Sequence, residues 1–322
     1  MKSTNLARLC TVAVAGALAL AGCSSSNDAT PNSAATTTPK LVTSTNVWAS
    51  VASAVAGDKA SVTALFSDPT GDPHDFEPSA ADTAKVVDAD VVLLNGAHYD
   101  EYMEKAAQDV KGTIINAATV MTDNHLDATW RAAQADAGDQ NNEADTNEHV
   151  FYNLATVAKV ADAIADALAK KDPADSATFH ANAAAFTAKI DDLRHTLAAI
   201  KKDDNGAKVA QTEPLAGYLL AEAGLIDSSP VSFTAAVEQD QSPSAADRAA
   251  MEKLLTGHTV RVFIYNTQAV DSVTEALLAT AKSANVAVVK FTETLPQDVT
   301  SYLDWQQGQI TALRQALTPS AG

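Results

Sequence analysis

Apolar positions along this chain fall into short unbroken runs separated by longer helical stretches. Runs such as Ser61-Val62-Thr63-Ala64-Leu65-Phe66 and Val91-Val92-Leu93-Leu94-Asn95 read as strands, being short and rich in β-branched residues. The stretches between them carry helix signals, such as the start at Trp48 with its close at Ala56-Gly57, and the start at Pro78-Ser79. Strands without polar alternation, interleaved with helices, predict parallel sheets covered on both faces.

This order occurs twice. Lys40-Leu41-Val42-Thr43-Ser44-Thr45-Asn46 and its helix are matched by Lys208-Val209-Ala210-Gln211-Thr212-Glu213 and a helix closing at Ala223-Gly224. Pro78-Ser79-Ala80-Ala81-Asp82 opens a helix before Val91, and Pro243-Ser244-Ala245-Ala246-Asp247 opens one before Val262-Phe263-Ile264-Tyr265-Asn266. Ser79 with Asp82, and Ser244 with Asp247, have capping-box spacing. Thr113-Ile114-Ile115 and Val286-Ala287-Val288-Val289 fall in register as last strands. The expected fold is α/β, with two similar β/α lobes that each hold a mostly parallel sheet of roughly four strands.

One long helix joins them. Asp172 is placed as its N-cap and Pro173 at its first position. Phe179, Ala183, Phe186, Ile190, Leu193, Leu197 and Ile200 then recur at spacings of four and three, a single apolar stripe. A helix from Pro173 to Lys202 is about 45 Å long, longer than one small lobe, and is expected to brace both. The expected organisation is a first lobe over 41–172, the helix over 173–203 and a second lobe over 204–322.

The amino-terminal end is different. Lys2 and Arg8 precede an apolar run from Ala13 to Ala21 that is too short to span a bilayer, so 1–22 reads as a secretory signal. Leu20-Ala21-Gly22-Cys23 resembles the lipobox of bacterial lipoproteins, which implies cleavage before an acylated Cys23. Residues 23–40 are poor in apolar side chains and read as a flexible tether from lipid to domain. Cys10 leaves with the signal, so neither a disulfide framework nor a thiolate metal site is open to the mature chain. With 22 basic residues against 40 acidic ones, nucleic acid is an unfavourable partner.

Candidate chemistry centres on His74, in Gly71-Asp72-Pro73-His74-Asp75-Phe76-Glu77-Pro78, a proline-stiffened loop directly after a strand. Strand ends are where open α/β sheets place their ligands. Three further metal-capable side chains fall at comparable positions. His149 follows an acidic segment rich in Gly, Asn and Asp that reads as a mobile loop, Glu213 ends the first strand of the second lobe, and Glu293 ends its last. A metal between the lobes would take two nitrogens from one and two carboxylates from the other. His98, Glu148 and Asp298 are further contributors left open, whereas His125, His180, His195 and His258 read as loop or solvent-facing residues.

These residues resemble the metal-binding lipoproteins of ABC importers for zinc and manganese, solute-binding proteins with a rigid interlobe helix. The resemblance spans nearly the whole chain from Leu41 and is most specific over Asp72-Pro73-His74-Asp75-Phe76-Glu77-Pro78-Ser79 and Ala89-Asp90-Val91-Val92-Leu93-Leu94-Asn95-Gly96. It implies His74, His149, Glu213 and Glu293 as ligands of Zn2+ or Mn2+. It also implies a monomer anchored to the extracytoplasmic membrane face through Cys23 that delivers its ion to an ABC permease. Two positions depart from the family pattern, Glu148 standing for a proline and Glu293 for an aspartate. The competing classes are a metal-dependent hydrolase and a surface adhesin. Catalytic metals keep an open position, whereas four protein ligands close the shell, and no H-E-x-x-H or nucleophile elbow is present; an enzyme is not expected.

Overall fold

A computed structural model describes residues 38–136 and 147–318. The signal, Cys23, most of the tether and the acidic segment before His149 lie outside the described residues. The first lobe runs β1 (Lys40–Thr45), α1 (Asn46–Ala56), β2 (Ser61–Phe66), α2 (Ala80–Val87), β3 (Val91–Leu94), α3 (Glu101–Ala107) and β4 (Thr113–Asn116). Its four strands are all parallel, in the order β2-β1-β3-β4. Helices α4 (Ala117–Asp123), α5 (Ala128–Asp136) and α6 (Leu154–Lys171) lead to α7 (Ser176–Asp204).

The second lobe continues with β5 (Lys208–Gln211), α8 (Gly217–Glu222), β6 (Ile226–Asp227), α9 (Val231–Glu238), α10 (Ala245–Thr256) and β7 (Val262–Asn266). It closes with α11 (Ser272–Ser283), β8 (Ala287–Phe291) and α12 (Tyr302–Leu317). Its sheet, β6-β5-β7-β8, is parallel throughout and repeats the strand order of the first. The lobes share the architecture that the repeated pattern predicts.

Helix α7 buries Phe179, Ala183, Phe186, Ile190, Leu193, Leu197 and Ile200, the whole predicted stripe. The Asp172 carboxylate accepts from the Ala174 N–H and opens a 3-10 turn, Pro173–Asp175, that feeds the helix. Near its start the Asn182 amide donates to the Val55 carbonyl of α1 at 3.0 Å, and further along Arg194 donates to Glu222 of α8 at 2.7 Å. The helix therefore touches both lobes. His180 and His195 lie exposed on it, as their places outside the stripe require.

Candidate metal centre

The cleft between the lobes collects loops that follow strands. After β2, a 3-10 turn over Pro73–Asp75 is capped by Asp72, whose Oδ1 accepts from the His74 N–H at 2.8 Å. This fixes the backbone of His74 while its side chain, about a quarter exposed, points into the cleft. His149 comes from the loop ahead of α6 and is fully buried. Its Nδ1 lies 3.0 Å from Asn147 Oδ1, an acceptor, so Nδ1 carries the proton and Nε2 presents its lone pair to the cleft. Asn147 is itself tied to the second lobe, donating to the Pro214 carbonyl at 2.7 Å and accepting from the Tyr218 hydroxyl at 2.7 Å.

Glu293 follows β8. Gln268 Oε1 accepts from the backbone N–H of Glu293 and of Thr294, while its amide donates to the Gly71 carbonyl of the first lobe at 2.8 Å. The loops of His74 and Glu293 thus share one glutamine. The carboxylate of Glu293 accepts from Asn266 at 2.7 Å and from the Tyr99 hydroxyl at 3.0 Å. Glu293 Oε2 lies 3.5 Å from His74 Nε2 and 3.8 Å from His149 Nε2. Neither of those imidazole nitrogens has a hydrogen-bond partner, although both are buried.

The structure brings His74, His149 and Glu293 together at ligand spacing. The Glu213 carboxylate is not at that spacing from all three; it accepts from the same Asn266 amide that holds Glu293. Glu238, the last residue of α9, also faces the histidines, with Oε1 at 3.8 Å from His74 Nε2 and 3.6 Å from His149 Nε2. Glu148 joins from the edge, within ligand spacing of His74 and Glu238. His98 lies exposed beside Glu101, and Asp298 is exposed, so neither reaches the cleft.

Glu238, Tyr99 and Asn266 also meet at the cleft, and no motif in the sequence marks them. Glu238 follows the buried Thr234 by four positions and so shares its inward helix face, the one local signal it carries. Tyr99 is delivered by a turn in which Gly96, Ala97 and His98 all take positive φ, at 77°, 54° and 70°. A side chain at Gly96 would also meet the Asn116 amide at 2.2 Å, so glycine is needed there on both counts. Buried Asp100 closes the turn by accepting from the N–H groups of Asn95 and Gly96.

Electrostatics mark the cleft as short of positive charge. Burial pushes the carboxyls of Glu238 and Glu213 well up, reinforced for Glu238 by Glu148 and for Glu213 by Glu293. Burial acts the same way on Glu293, but His74, His149 and Asn266 outweigh it and hold its carboxyl down at about 2. Burial pulls the His74 imidazole down, yet facing Glu293, with Glu148 and Asp72, overrides it and pushes the imidazole up to about 10. Burial lowers His149. Among the described residues no lysine or arginine pairs with Glu148, Glu213, Glu238 or Glu293, so two imidazoles face an excess of carboxylates.

The family described as "Zinc-uptake complex component A periplasmic" matches residues 41–316. The chain belongs to this family. The high-affinity zinc uptake system protein ZnuA of Bacillus subtilis (strain 168) is 25% identical over 253 residues, spanning 76% of this chain and 77% of that protein. The manganese-binding lipoprotein MntA of Halalkalibacterium halodurans is 26% identical over 155 residues, 48% of this chain and 47% of that protein. The zinc-binding lipoprotein AdcA of Streptococcus pneumoniae is 24% identical over 81% of this chain and 52% of its own length, so this chain spans only about half of several curated relatives it matches. Among solved structures, the periplasmic zinc-binding protein TroA of Treponema pallidum superposes with a TM-score of 0.69 at 17% identity, over 88% of this chain and all of that one. The FpvC solute-binding protein of Pseudomonas aeruginosa, in complex with Mn2+, gives 0.66 at 21% identity over 87% of this chain and 98% of that one. These likenesses bear on the fold.

Proposed function

We propose that this protein captures one divalent transition ion, zinc or manganese, in the interlobe cleft and delivers it to an ABC import permease. In this reading the ion is cargo, bound without turnover, and the protein is a monomer held at the extracytoplasmic membrane face by a lipid on Cys23. The lobes over 41–172 and 204–322, with the helix over 173–203, are its two jaws and brace. The observation that carries the reading is the pair of buried, unpartnered Nε2 atoms of His74 and His149, both facing the Glu293 carboxylate from separate elements. A buried imidazole nitrogen left without a donor or acceptor is costly, and a metal ion satisfies both at once. Family membership and the names of relatives that bind zinc or manganese support the choice of ion.

Two imidazoles with hard carboxylates accommodate manganese, while the general affinity order puts zinc above it. Zinc is therefore expected to bind at least as tightly in vitro, and competition calorimetry in which manganese clearly displaces zinc would contradict this. Metal analysis of purified protein tests the reading itself. Wild type should retain about one ion per chain and His74→Ala should lose most of it, because the site holds no thiol or third imidazole to substitute; unchanged stoichiometry in His74→Ala would remove the assignment.

A further inference from the structure

Each histidine of the cleft has its own bridge to Glu293. That of His74 is Gln268, which joins the Gly71 carbonyl to the N–H groups of Glu293 and Thr294. That of His149 runs through Tyr152, which closes the 3-10 turn Val150–Tyr152 and whose N–H donates to the His149 carbonyl at 2.9 Å. The Tyr152 side chain is fully buried, and its hydroxyl donates to the Thr292 carbonyl of the second lobe at 2.6 Å, one residue ahead of Glu293. The same hydroxyl lies 2.8 Å from Gln309 Oε1 of α12, so its single proton serves two acceptors. Its ring stacks on Phe291, the last residue of β8, at 5.6 Å and 18°, and packs on Trp305 at 5.3 Å. Trp305 holds Thr292 from within the second lobe, its indole N–H donating to Thr292 Oγ1 at 2.9 Å.

From this geometry we infer that Tyr152 is a positioning residue for the captured ion: its hydroxyl ties the His149 loop of the first lobe to the Glu293 loop of the second, and so sets the 3.8 Å between His149 Nε2 and Glu293 Oε2. It acts at one remove, three residues past one donor and through the residue ahead of the other. The inference rests on the reading of the cleft as a metal site. Stacking on Phe291 tolerates sliding of the ring, whereas a hydrogen bond fixes a distance and a direction. Donors held in place before the ion arrives give up little freedom when they bind it. The same bond spans the two lobes, so parting them to release the ion has to break it.

The test uses the mature chain as wild type, Tyr152→Phe, Trp305→Phe, His149→Ala and the double variant Tyr152→Phe with His149→Ala, with folding checked by circular dichroism. Zn2+ affinity is measured by competition with chelators, Zn2+ release by stopped flow, and donor geometry by the visible absorption of bound Co2+. Tyr152→Phe keeps the ring and removes only the hydroxyl. It should weaken Zn2+ binding by about 10-fold, within the range for groups that orient ligands, chiefly through faster release, and should shift the Co2+ bands. In the His149→Ala background the same substitution should cost less than about 2-fold, because no second imidazole is left to place and Gln268 still serves His74. Trp305→Phe, which removes a bond made wholly within the second lobe, should cost less than Tyr152→Phe. Wild-type affinity and Co2+ spectrum in folded Tyr152→Phe, a loss undiminished in the His149→Ala background, or an equal loss in folded Trp305→Phe would each overturn the inference and leave the metal reading standing. A wild type that binds no ion, or a His149→Ala that binds as wild type does, would overturn the reading beneath it.

Discussion

The two lobes repeat one plan, and the clearest lesson comes from an asparagine that occupies the same place in each. Asn95 follows β3 and Asn266 ends β7, the third strands of sheets with identical order. In the first lobe Asn95 accepts from the Trp48 indole at 3.2 Å and donates to the carbonyls of Gly96 and Glu148, which makes it a structural clasp on the His149 loop. In the second lobe the same amide donates to two carboxylates, Glu213 and Glu293. Five residues on, the pairing recurs with a different outcome. Buried Asp100 reaches back to the N–H groups of Asn95 and Gly96, whereas exposed Asp271 reaches forward to cap α11 through Val273 and Thr274. One lobe has built its strand ends for shape and the other for charge. In the cleft the first lobe carries His74, His149 and Glu148, and the second carries Glu238 and Glu293.

The largest expected effect comes from exchanging these roles. Asn266→Ala leaves two buried carboxylates without a shared donor and should lower ion affinity by about 10–100-fold with limited loss of stability. Asn95→Ala strands the Trp48 indole and should cost about 1–3 kcal/mol of stability, with a smaller effect on affinity. Calorimetric titration alongside urea melts of both variants measures this crossing; equal losses on both axes would erase the distinction between the lobes.

The aspartates give the next effect. Burial pushes the Asp100 carboxyl up to about 6 from an ordinary 3.8, outweighing the N–H bonds from Asn95 and Gly96. The folded protein then holds a proton that the unfolded chain has released, so this contribution to stability is complete below about pH 4 and lost as the pH rises through about 6. The advantage of wild type over Asp100→Asn should accordingly shrink from about pH 4 to about pH 7. Exposed Asp271→Ala should cost about 1 kcal/mol, the usual value of a helix cap. Denaturant melts across this pH range decide the matter, and a wild-type advantage that grows with pH would reverse the sign.

A smaller difference separates the two serine caps. Ser79 and Asp82 form a complete capping box, with both backbone N–H groups satisfied. Ser244 accepts from the Asp247 N–H, but Asp247 bonds to Ser232 and to the Ser244 hydroxyl instead of closing the box. Ser79→Ala should cost about 1 kcal/mol and Ser244→Ala somewhat less. Thermal melts in which Ser244→Ala is the more damaging would contradict the assignment. The smallest expected effect is on overall dimensions: with α7 fastened to both lobes, ion binding should shift loops and tilt lobes slightly. Solution scattering that reports a lobe rotation of tens of degrees would mean that α7 does not brace them.

Much of this molecule is determined within short stretches of sequence, where the physics is local. The run from Ser61 to Phe66 is a strand to the residue, and the stripe from Phe179 to Ile200 buries in full, because backbone periodicity fixes which side chains share a face. The repeated proline-serine starts and the continuous apolar runs gave two parallel sheets of the same order, since buried parallel strands leave that signature. Prolines and acids mark the loop of His74, and strand-end settings mark His149 and Glu293, as candidates, and the fold brings these three together. Local rules do not extend to the choice among forty acids. Glu213 lies two residues past the end of β5, where its carboxylate accepts from Asn266, while Glu238 lies in a helix that no motif distinguishes. Which carboxylate faces the histidines depends on how α9 packs beside the turn after β5, and on where Asn266 directs its two N–H bonds. Those are contacts between residues far apart in the chain, and only the folded protein sets them.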